Sequence, residues 1–223
     1  MMKRLPKPLY GLVALGSLLN REDSGMNHGL ERLGILAQAI GLWSLNTLGV
    51  SMAGKLGHKY YCPELGLTVH LPVAVLAQLW GYRQTTSAAK ESGGMLFTRT
   101  LAGSSVEVSA ISLPGGGDRA TPISFIPDRA RGRKEIERRF RRGQHFIGEW
   151  HSHYERHPTP SPKDKSTIRS LFQSSKHDLP MFLMLILSSE ADASLLHISA
   201  TNGKELYEFV YQGADGLPHS SRC

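Results

Sequence analysis

The hydrophobic and polar positions are easiest to interpret from Leu65 onward, where strand and helix patterns follow one another. Residues 67–71 alternate in polarity as a short strand does, and Pro72 then opens an apolar run at helical spacing that continues toward Lys90. Further strands are predicted at 92–98, 106–113, 123–126, 145–151 and 181–187, and a closing hairpin is predicted at 195–199 and 206–211, around Asn202-Gly203. The unbroken apolar run 181–187 indicates a strand that is buried on both faces.

Two more helices are predicted between these strands. The first covers residues 130–142 behind the capping residue Asp128, and its large apolar residues Ile136 and Phe140 lie one turn apart and form its apolar face. The second covers residues 161–176. Because strands and helices mix irregularly, the sequence predicts an α/β (α+β) domain in which helices and a sheet are layered.

The N-terminal quarter lacks the strand and helix patterns of the rest of the chain. We therefore expect the chain to have three parts: a helical extension (1–62), a main domain (63–213) and a flexible tail (214–223). Residues 33–54 carry no charge and are long enough to span a bilayer of about 30 Å. Their apolar spacing, four glycines and several polar side chains favour a packed helix over a membrane span. The first twenty residues imitate a signal peptide, but prolines interrupt them and no small-residue cleavage site follows, so we expect a cytoplasmic protein.

Composition narrows the class of protein. The chain has 223 residues and is 40% hydrophobic, which is enough for one compact domain with a substantial core. Its two cysteines, Cys62 and Cys223, exclude a disulfide-rich scaffold and a zinc site built from four thiolates. Lys and Arg number 26 against 19 Asp and Glu, which gives a net charge of +7.

Much of the positive charge lies in one run, residues 129–142. This run is interpreted either as the solvated face of a helix or as a contact for an acidic surface on a protein substrate or partner. Nucleic-acid binding is the least favoured of the three interpretations, because aromatic residues are not interleaved with the charges as stacking platforms.

The candidate chemistry lies in residues 148–153, Gly-Glu-Trp-His-Ser-His, and in residues 161–164, Ser-Pro-Lys-Asp. Two histidines two residues apart at a strand end, His151 and His153, point to the same face with Cα atoms about 6.5 Å apart. Both can bind one ion at about 2.0–2.1 Å, and a carboxylate from the start of the next helix would be a third ligand. One tetrahedral position stays open for water, as in catalytic zinc sites.

A hydrolytic zinc site also needs a carboxylate that takes a proton from water. Glu91 is the candidate, because the Ser92-Gly93-Gly94 that follows it allows a backbone turn close to the site. Glu91 with its Ser-Gly-Gly, followed 60 residues later by His-x-His-x7-Ser-x2-Asp, closely resembles the JAMM motif of the JAB/MPN (Mov34) metallopeptidase family. The resemblance covers residues 65–211 and implies an MPN-like three-layer domain with a mixed central sheet flanked by helices.

The resemblance also implies a role for each residue of the motif. His151, His153 and Asp164 would bind one Zn2+. Glu91 would act as general base and then as general acid, and Ser161 would donate a hydrogen bond to the tetrahedral oxyanion. The family cleaves isopeptide or peptide bonds, commonly after the C-terminal glycine of ubiquitin or a ubiquitin-like protein.

The sequence Gly-Glu-Trp-His-Ser-His is most similar to the corresponding segment of bacterial JAB peptidases. These peptidases are found beside ubiquitin-like conjugation enzymes, including those of antiphage defence operons. The expected partners are therefore a ubiquitin-like protein or its conjugate, together with E1- or E2-like enzymes, rather than nucleic acid or a membrane. Three alternatives stay open: a non-catalytic MPN scaffold that holds a partner, processing of a ubiquitin-like sulfur carrier, and a basic nucleic-acid module.

Some residues near the motif allow simpler interpretations. Ser161 and Asp164 also fit an ordinary helix start, which is compatible with ligand duty for the aspartate. Glu149 shares a strand face with His151 and receives no assigned role. The remaining histidines of the region are expected to be loop or surface residues: His145, His157 and His177.

Overall fold

The structure, a computed structural model, describes residues 57–214. Positions 1–56 and 215–223, and with them the helix predicted at 33–54, lie outside the described residues. All described residues belong to one compact unit, Asn46–Cys223. Within the described part, no helix is both long and apolar enough to cross a membrane.

The described residues form twelve strands and three α-helices, numbered here in chain order. The strands are β1 Gly57–Cys62, β2 Leu67–Pro72, β3 Gly93–Thr98, β4 Ser105–Glu107, β5 Ala110–Ile111, β6 Arg119–Thr121, β7 Ser124–Ile126, β8 His145–Ser152, β9 Phe182–Leu187, β10 His197–Thr201, β11 Leu206–Glu208 and β12 Val210–Ala214. The helices are α1 Val73–Trp80, α2 Arg129–Phe140 and α3 Pro162–Ser174.

Six strands form a mixed sheet in the order β11-β10-β9-β8-β3-β5. Within this sheet only the β8–β9 pair is parallel, and α3 lies on the connection between these two strands, since parallel neighbours need a long crossover. A second sheet has the order β12-β1-β2-β4, and β6 and β7 form a separate hairpin. The prediction of a mixed sheet with helices is confirmed.

Strand β9 is buried along its whole length and separates two apolar layers. Its residues at 182, 184 and 186 pack with Ile168 of α3. Its residues at 183, 185 and 187 face the other way and join a larger core, which includes Leu71 of β2 and Leu79 of α1. This two-sided burial explains why the run 181–187 is apolar throughout.

Helix α2 covers the same face of the six-stranded sheet as α3. Met95 of β3, Glu149 of β8 and Met184 of β9 are in register and therefore share that face. From α2, the guanidinium of Arg139 lies 4.5 Å from the centre of the Phe97 ring. The layers are thus α2 with α3, the six-stranded sheet, and α1 with the second sheet, which confirms the predicted three-layer arrangement.

Helix α1 ends at Trp80 and does not continue toward Lys90 as predicted. The amide of Gly81 donates a hydrogen bond to the Gln78 carbonyl, and Arg83 Nε donates one to the Trp80 carbonyl at 2.9 Å. These hydrogen bonds satisfy carbonyl groups that a helix end leaves open, so the chain can leave the helix there.

Two predicted strands are each divided between the two sheets. In the strand predicted at 106–113, Val108 N donates to the His70 carbonyl at 3.0 Å, and the next amide, of Ser109, donates to the Phe97 carbonyl at 2.8 Å. The chain therefore crosses from β4 in one sheet to β5 in the other. The strand predicted at 206–211 is divided in the same way at Phe209, between β11 and β12.

The predicted boundaries and one predicted apolar face also differ from the structure. Strand β1 lies between β2 and β12, so residues 57–62 belong to the folded domain and not to the extension expected at 1–62. Ala214, expected to begin the tail, is the last residue of β12. Phe140 is 65% exposed, because α2 turns Glu135 and Arg139 toward the sheet instead.

Candidate metal centre

The two histidines lie at the end of β8, where a glycine allows β8 to lie close against β9. The register between β3 and β8 shifts after Leu96, and Gly148 adopts a φ of 147°. A Cβ at Gly148 would collide with the backbone of Leu183 in β9. Only glycine fits here, and the strand beyond it places Glu149 and His151 on the face that carries α2 and α3.

His151, His153 and Asp164 form a compact cluster. The two Nε2 atoms lie 3.1 Å apart. His151 Nε2 is 3.6 Å from Asp164 Oδ1, and His153 Nε2 is 3.6 Å from Asp164 Oδ2. A tetrahedral ion with bonds of about 2.0–2.1 Å requires ligand atoms about 3.3 Å apart, so the cluster fits Zn2+ without rearrangement of the chain.

Among residues 57–214, this is the only group of at least three His, Cys, Asp or Glu side chains placed to hold a metal ion, and its ligand atoms lie within 4.8 Å of one another. The structure thus brings together all three residues that the spacing predicted as ligands. The histidines and the aspartate come from opposite ends of the segment 154–160, which exposes Tyr154, Arg156 and His157.

Asp164 is held by the first turn of α3. Ser161 is the N-cap: it donates from Oγ and from N to Asp164 Oδ2 at 2.6 and 2.8 Å, and its Oγ accepts from Asp164 N at 3.2 Å. Burial alone would raise the pKa of Asp164, but its interactions with His151 and Ser161 outweigh burial and hold that pKa well below the usual range. The capping box is present, and Asp164 Oδ1 lies 3.6 Å from His151 Nε2 at the same time.

The hydroxyl of Ser161 is thus engaged with Asp164. Its predicted hydrogen bond to a substrate oxyanion requires the O–H to turn away from the Asp164 carboxylate, and that role stays a prediction. What the structure assigns to Ser161 is the orientation of the aspartate.

Glu91 precedes β3 at the point where this strand meets the end of β8. Ser92 N donates to Ser152 Oγ, and Ser152 N donates to the Ser92 carbonyl, both at 2.9 Å. Gly93 is in register with His151. These contacts place Glu91 next to the histidine pair, as the motif predicted.

The Glu91 residue is only 9% exposed. Burial raises the pKa of its carboxyl to about 7, with the positive charges of His151 and Lys163 opposing that rise and the negative charge of Asp164 adding to it. A carboxyl with a pKa near neutrality can both accept and return a proton.

The two glycines after Glu91 serve a different purpose from the expected backbone turn, since both lie within strand β3. A Cβ at Gly93 would collide with the ring of Phe125, and a Cβ at Gly94 would collide with the Ser112 carbonyl and come within 2.8 Å of Trp150 Nε1. Trp150 Nε1 donates to that same carbonyl at 3.0 Å. The glycines therefore make space for an aromatic residue on each face of β3.

The hairpin of β6 and β7 supports Glu91 from outside the sheet. Glu91 N donates to the Thr121 carbonyl at 2.9 Å, and the backbone of Phe125 opposes the rise in the pKa of the Glu91 carboxyl. Lys163 Nζ, in the first turn of α3, donates to Ser124 Oγ at 2.7 Å. No pattern in the sequence indicates these supports, because each joins residues distant in the chain without a recognisable spacing.

The other titratable residues of the region lie outside the cluster. His177 is packed against Phe172 and Phe182 rather than exposed on the surface, and its Nε2 is 2.9 Å from the Phe172 carbonyl. His145 stacks edge-on against Phe140, and His157 is exposed. Burial raises the pKa of Glu149, against the charges of His151 and Arg129.

A mixed sheet flanked by helices, with two strand-end histidines and a helix-start aspartate converging beside a buried glutamate, is the arrangement expected of a JAB/MPN domain. The profile of the family described as prokaryotic homologs of the JAB domain matches residues 72–199, more than half of the chain. The chain belongs to this family.

Two individual proteins are similar to parts of the chain. A protein of Vibrio cholerae named CD-NTase/cGAS isopeptidase is 31% identical over 115 residues, which is 50% of this chain and 71% of the relative. The solution structure of protein DSY2949 from Desulfitobacterium hafniense is 20% identical, with a TM-score of 0.46, over 62% of this chain and 87% of that protein.

Proposed function

We propose that the protein is a zinc-dependent JAMM-type isopeptidase that cleaves the isopeptide or peptide bond after the C-terminal glycine of a ubiquitin-like protein. The observation that carries this proposal is the convergence of His151 Nε2, His153 Nε2 and the Asp164 carboxylate within 4.8 Å. The buried Glu91 carboxyl next to this cluster completes the groups needed for amide hydrolysis.

The Vibrio cholerae relative narrows the substrate, because its name describes an isopeptidase for a CD-NTase. We infer a conjugate between a ubiquitin-like protein and a CD-NTase as the target, in bacterial antiphage signalling. E1- and E2-like enzymes that form such a conjugate would be the partners, and the reaction would take place in the cytoplasm.

Hydrolysis of an amide moves a water oxygen to the carbonyl carbon and a proton to the leaving nitrogen. Bound zinc supplies Lewis-acid polarisation and makes water more acidic. Glu91 takes the proton from the attacking water and gives it to the nitrogen as the C–N bond breaks. Ser161 donates to the oxyanion after its O–H leaves Asp164, a contribution of about 2.7–4 kcal/mol for such a donor.

The test combines metal analysis with cleavage. Purified protein is expected to hold one zinc per chain and to cut a ubiquitin-like fusion at its terminal glycine, but not a matched fusion ending in another residue. The variant His151→Ala should lose zinc and cleavage together. Full zinc occupancy without cleavage of any ubiquitin-like fusion would support a non-catalytic scaffold, and a protein without stoichiometric zinc would refute the proposal.

A further inference from the structure

The hairpin of β6 and β7 lies beside Glu91, and within the described part of the chain these two strands pair only with each other. A two-stranded hairpin is only marginally stable on its own in water, so its position depends on contacts with the rest of the domain. One of these contacts involves Glu91, whose backbone N donates to the Thr121 carbonyl at 2.9 Å. The position of Glu91 is thus coupled to the position of the hairpin.

The side chain of Gln84 joins this hairpin to the segment that leads to Glu91. Its Nε2 donates to the carbonyl of Pro122, in the turn between β6 and β7, and to the carbonyl of Ala89, two residues before Glu91, both at 2.7 Å. Because both partners are carbonyl oxygens, only the NH2 end of the amide can serve them, and this fixes the orientation of the side chain. Both hydrogens of the NH2 group are therefore used.

The Gln84 amide lies in the interior of the domain. The residue is only 1% exposed. Its Oε1 is buried and accepts no hydrogen bond from any of residues 57–214. The two donated hydrogen bonds are therefore the part of the amide that the described residues use.

The residues before Gln84 are themselves anchored. The ring of Tyr82 packs against the ring of Trp150 in β8, with 5.9 Å between their centres. Arg83 Nη1 donates to the carbonyl of Ser189, just beyond β9, at 3.1 Å. Gln84 thus extends from a part of the chain that is fixed to the six-stranded sheet, and the hairpin turn is tied to that sheet through it.

Two other contacts hold the hairpin, and both involve β7. The ring of Phe125 lies against Gly93, and Ser124 Oγ accepts from Lys163 Nζ at 2.7 Å. The hydrogen bond from Lys163 is exposed, so water competes for it, whereas Gln84 is buried. Of these contacts, that of Gln84 is the one that reaches the hairpin turn and the segment before Glu91 together.

We propose that Gln84 is a positioning residue for proton transfer: it ties the hairpin turn to the segment before Glu91 and so holds the Glu91 carboxyl beside the metal centre. A displacement of about 1 Å at a reacting group can lower a rate by about 100-fold. The catalytic part of this inference rests on the proposed role of Glu91 as general base. The anchoring of Glu91 by Gln84 depends on neither the metal nor the substrate.

The first test is a double-mutant cycle of Gln84→Met and Glu91→Gln in the full chain. Methionine has a side chain of similar size but donates no hydrogen bond. Gln84→Met alone should lower kcat for a ubiquitin-like fusion by about 10–100-fold, while KM and zinc content stay within about twofold of the wild type. In the Glu91→Gln background the same change should lower kcat by less than about twofold, because the carboxyl that Gln84 positions is already absent.

The matched control is Gln173→Met. Gln173 Nε2 also donates to a backbone carbonyl, that of Gly203 at 2.6 Å, in the turn between β10 and β11. This variant should leave kcat within about twofold in either background. An effect of Gln84→Met that is equal in both backgrounds would show a general structural role and would overturn the inference. Gln84→Asn, which is shorter by one methylene and cannot reach both carbonyls, is a milder second variant and should give the same pattern.

Hydrogen exchange of the Glu91 amide, followed by NMR, supplies a measurement that needs no cleavage. This amide donates to the Thr121 carbonyl, so its exchange reports whether the hairpin stays in place. Gln84→Met should raise the exchange rate by about tenfold, and Gln173→Met should leave it unchanged. An unchanged rate in Gln84→Met would refute the anchoring by Gln84. The expected acceleration in a protein that cleaves no fusion would refute the proposed function, and with it the catalytic part of the inference, but not the anchoring.

Discussion

The residues around Glu91 determine the pKa of its carboxyl. Two strands, one hairpin and the start of α3 surround it, so that only 9% of the residue reaches solvent. Among the described residues, no ion pair within 4.0 Å involves the Glu91 carboxyl, although His151 and Lys163 lower its pKa through charge. The carboxyl is therefore held near the cluster and stays able to exchange a proton.

Exchange of Glu91 for glutamine should separate metal binding from catalysis. Glu91→Gln keeps the shape of the side chain but cannot accept the proton, so kcat/KM for a ubiquitin-like fusion is expected to fall by about 10²–10⁴ while zinc content is unchanged. Zinc analysis and cleavage kinetics on the same preparation check this. A variant that loses zinc in parallel with activity would show instead that Glu91 acts through the metal ligands.

Ser161 combines a structural with a proposed catalytic role, and a matched variant distinguishes them. Ser161→Ala removes the cap of α3 and should lower the free energy of unfolding by about 0.5–2 kcal/mol. If it also donates to the oxyanion, kcat should fall by a further factor of about 10²–10³. Ser166→Ala, in the same helix but with its hydroxyl bonded only to the Lys163 carbonyl, is the control and should change neither quantity.

Packing constrains the sequence of strand β3 at Gly94. Gly94→Ala should lower the free energy of unfolding by about 1–3 kcal/mol, since the new methyl group meets the Ser112 carbonyl and Trp150 Nε1. Gly116→Ala is the matched control, because a Cβ there has nothing within 4 Å. Urea unfolding of both variants measures the difference, and equal effects would contradict this packing argument.

The loop that leads from β5 to α2 depends on one buried carboxylate. Asp118 accepts from Gly115 N and Asp128 N, both at 2.8 Å, and pairs with the Arg131 guanidinium. Burial alone would raise the pKa of Asp118, but the hydrogen bonds from Arg131 and the two amides outweigh it and lower that pKa. Asp118 therefore contributes stability that is present above the unfolded pKa of about 3.9 and is lost as the pH falls through the folded value.

The variant Asp118→Asn tests how the stability contributed by Asp118 depends on pH. At pH 6 the variant should be less stable than the wild type by about 1–3 kcal/mol, because a charge-assisted acceptor is lost. Below about pH 4 the difference should start to shrink, since the unfolded wild-type chain binds the proton there, and it should be lost once the pH falls through the lowered folded pKa. Urea titrations across this pH range check both points, and a difference that stays constant would exclude ionic stabilisation.

Elements with a local signature were predictable from the sequence. The capping residues of α2 and α3, the buried run of β9 and the turn between β10 and β11 each rest on residues within a few positions of one another. The division of 106–113 and 206–211 between two sheets was not predictable, because alternation fixes the face of a strand but not its neighbour. The convergence of His151, His153 and Asp164 was predictable because their spacing follows from one strand end and one helix start.

The whole domain shares one core between its two sheets. Tyr60 and Leu71 of the second sheet and Leu96, Trp150 and Leu185 of the first belong to the same buried cluster. We therefore expect the described domain to unfold in one cooperative transition, with the metal centre lost at the same temperature.

Zinc removal tests this expectation. A ligand that binds only the folded state stabilises it by about 2.7 kcal/mol when present at 100 times its dissociation constant. Chelation should thus lower Tm by several degrees in the wild type. Asp164→Asn, which removes a ligand, should show a much smaller response, and calorimetry with and without chelator makes the comparison. An equal response in both proteins would show that the ion binds elsewhere.

The proposed ligands His153 and Asp164 lie on either side of residues 154–160. An ion held by His153 and Asp164 acts as a cross-link that closes this loop, much as a disulfide would, and it restricts the freedom of the chain on both sides. Arg156 is exposed in that loop and offers a trypsin cleavage site. Trypsin should cut the peptide bond after Arg156 slowly when zinc is bound and quickly after chelation. The rate of proteolysis in this loop therefore measures whether a bound ion links the end of β8 to the start of α3.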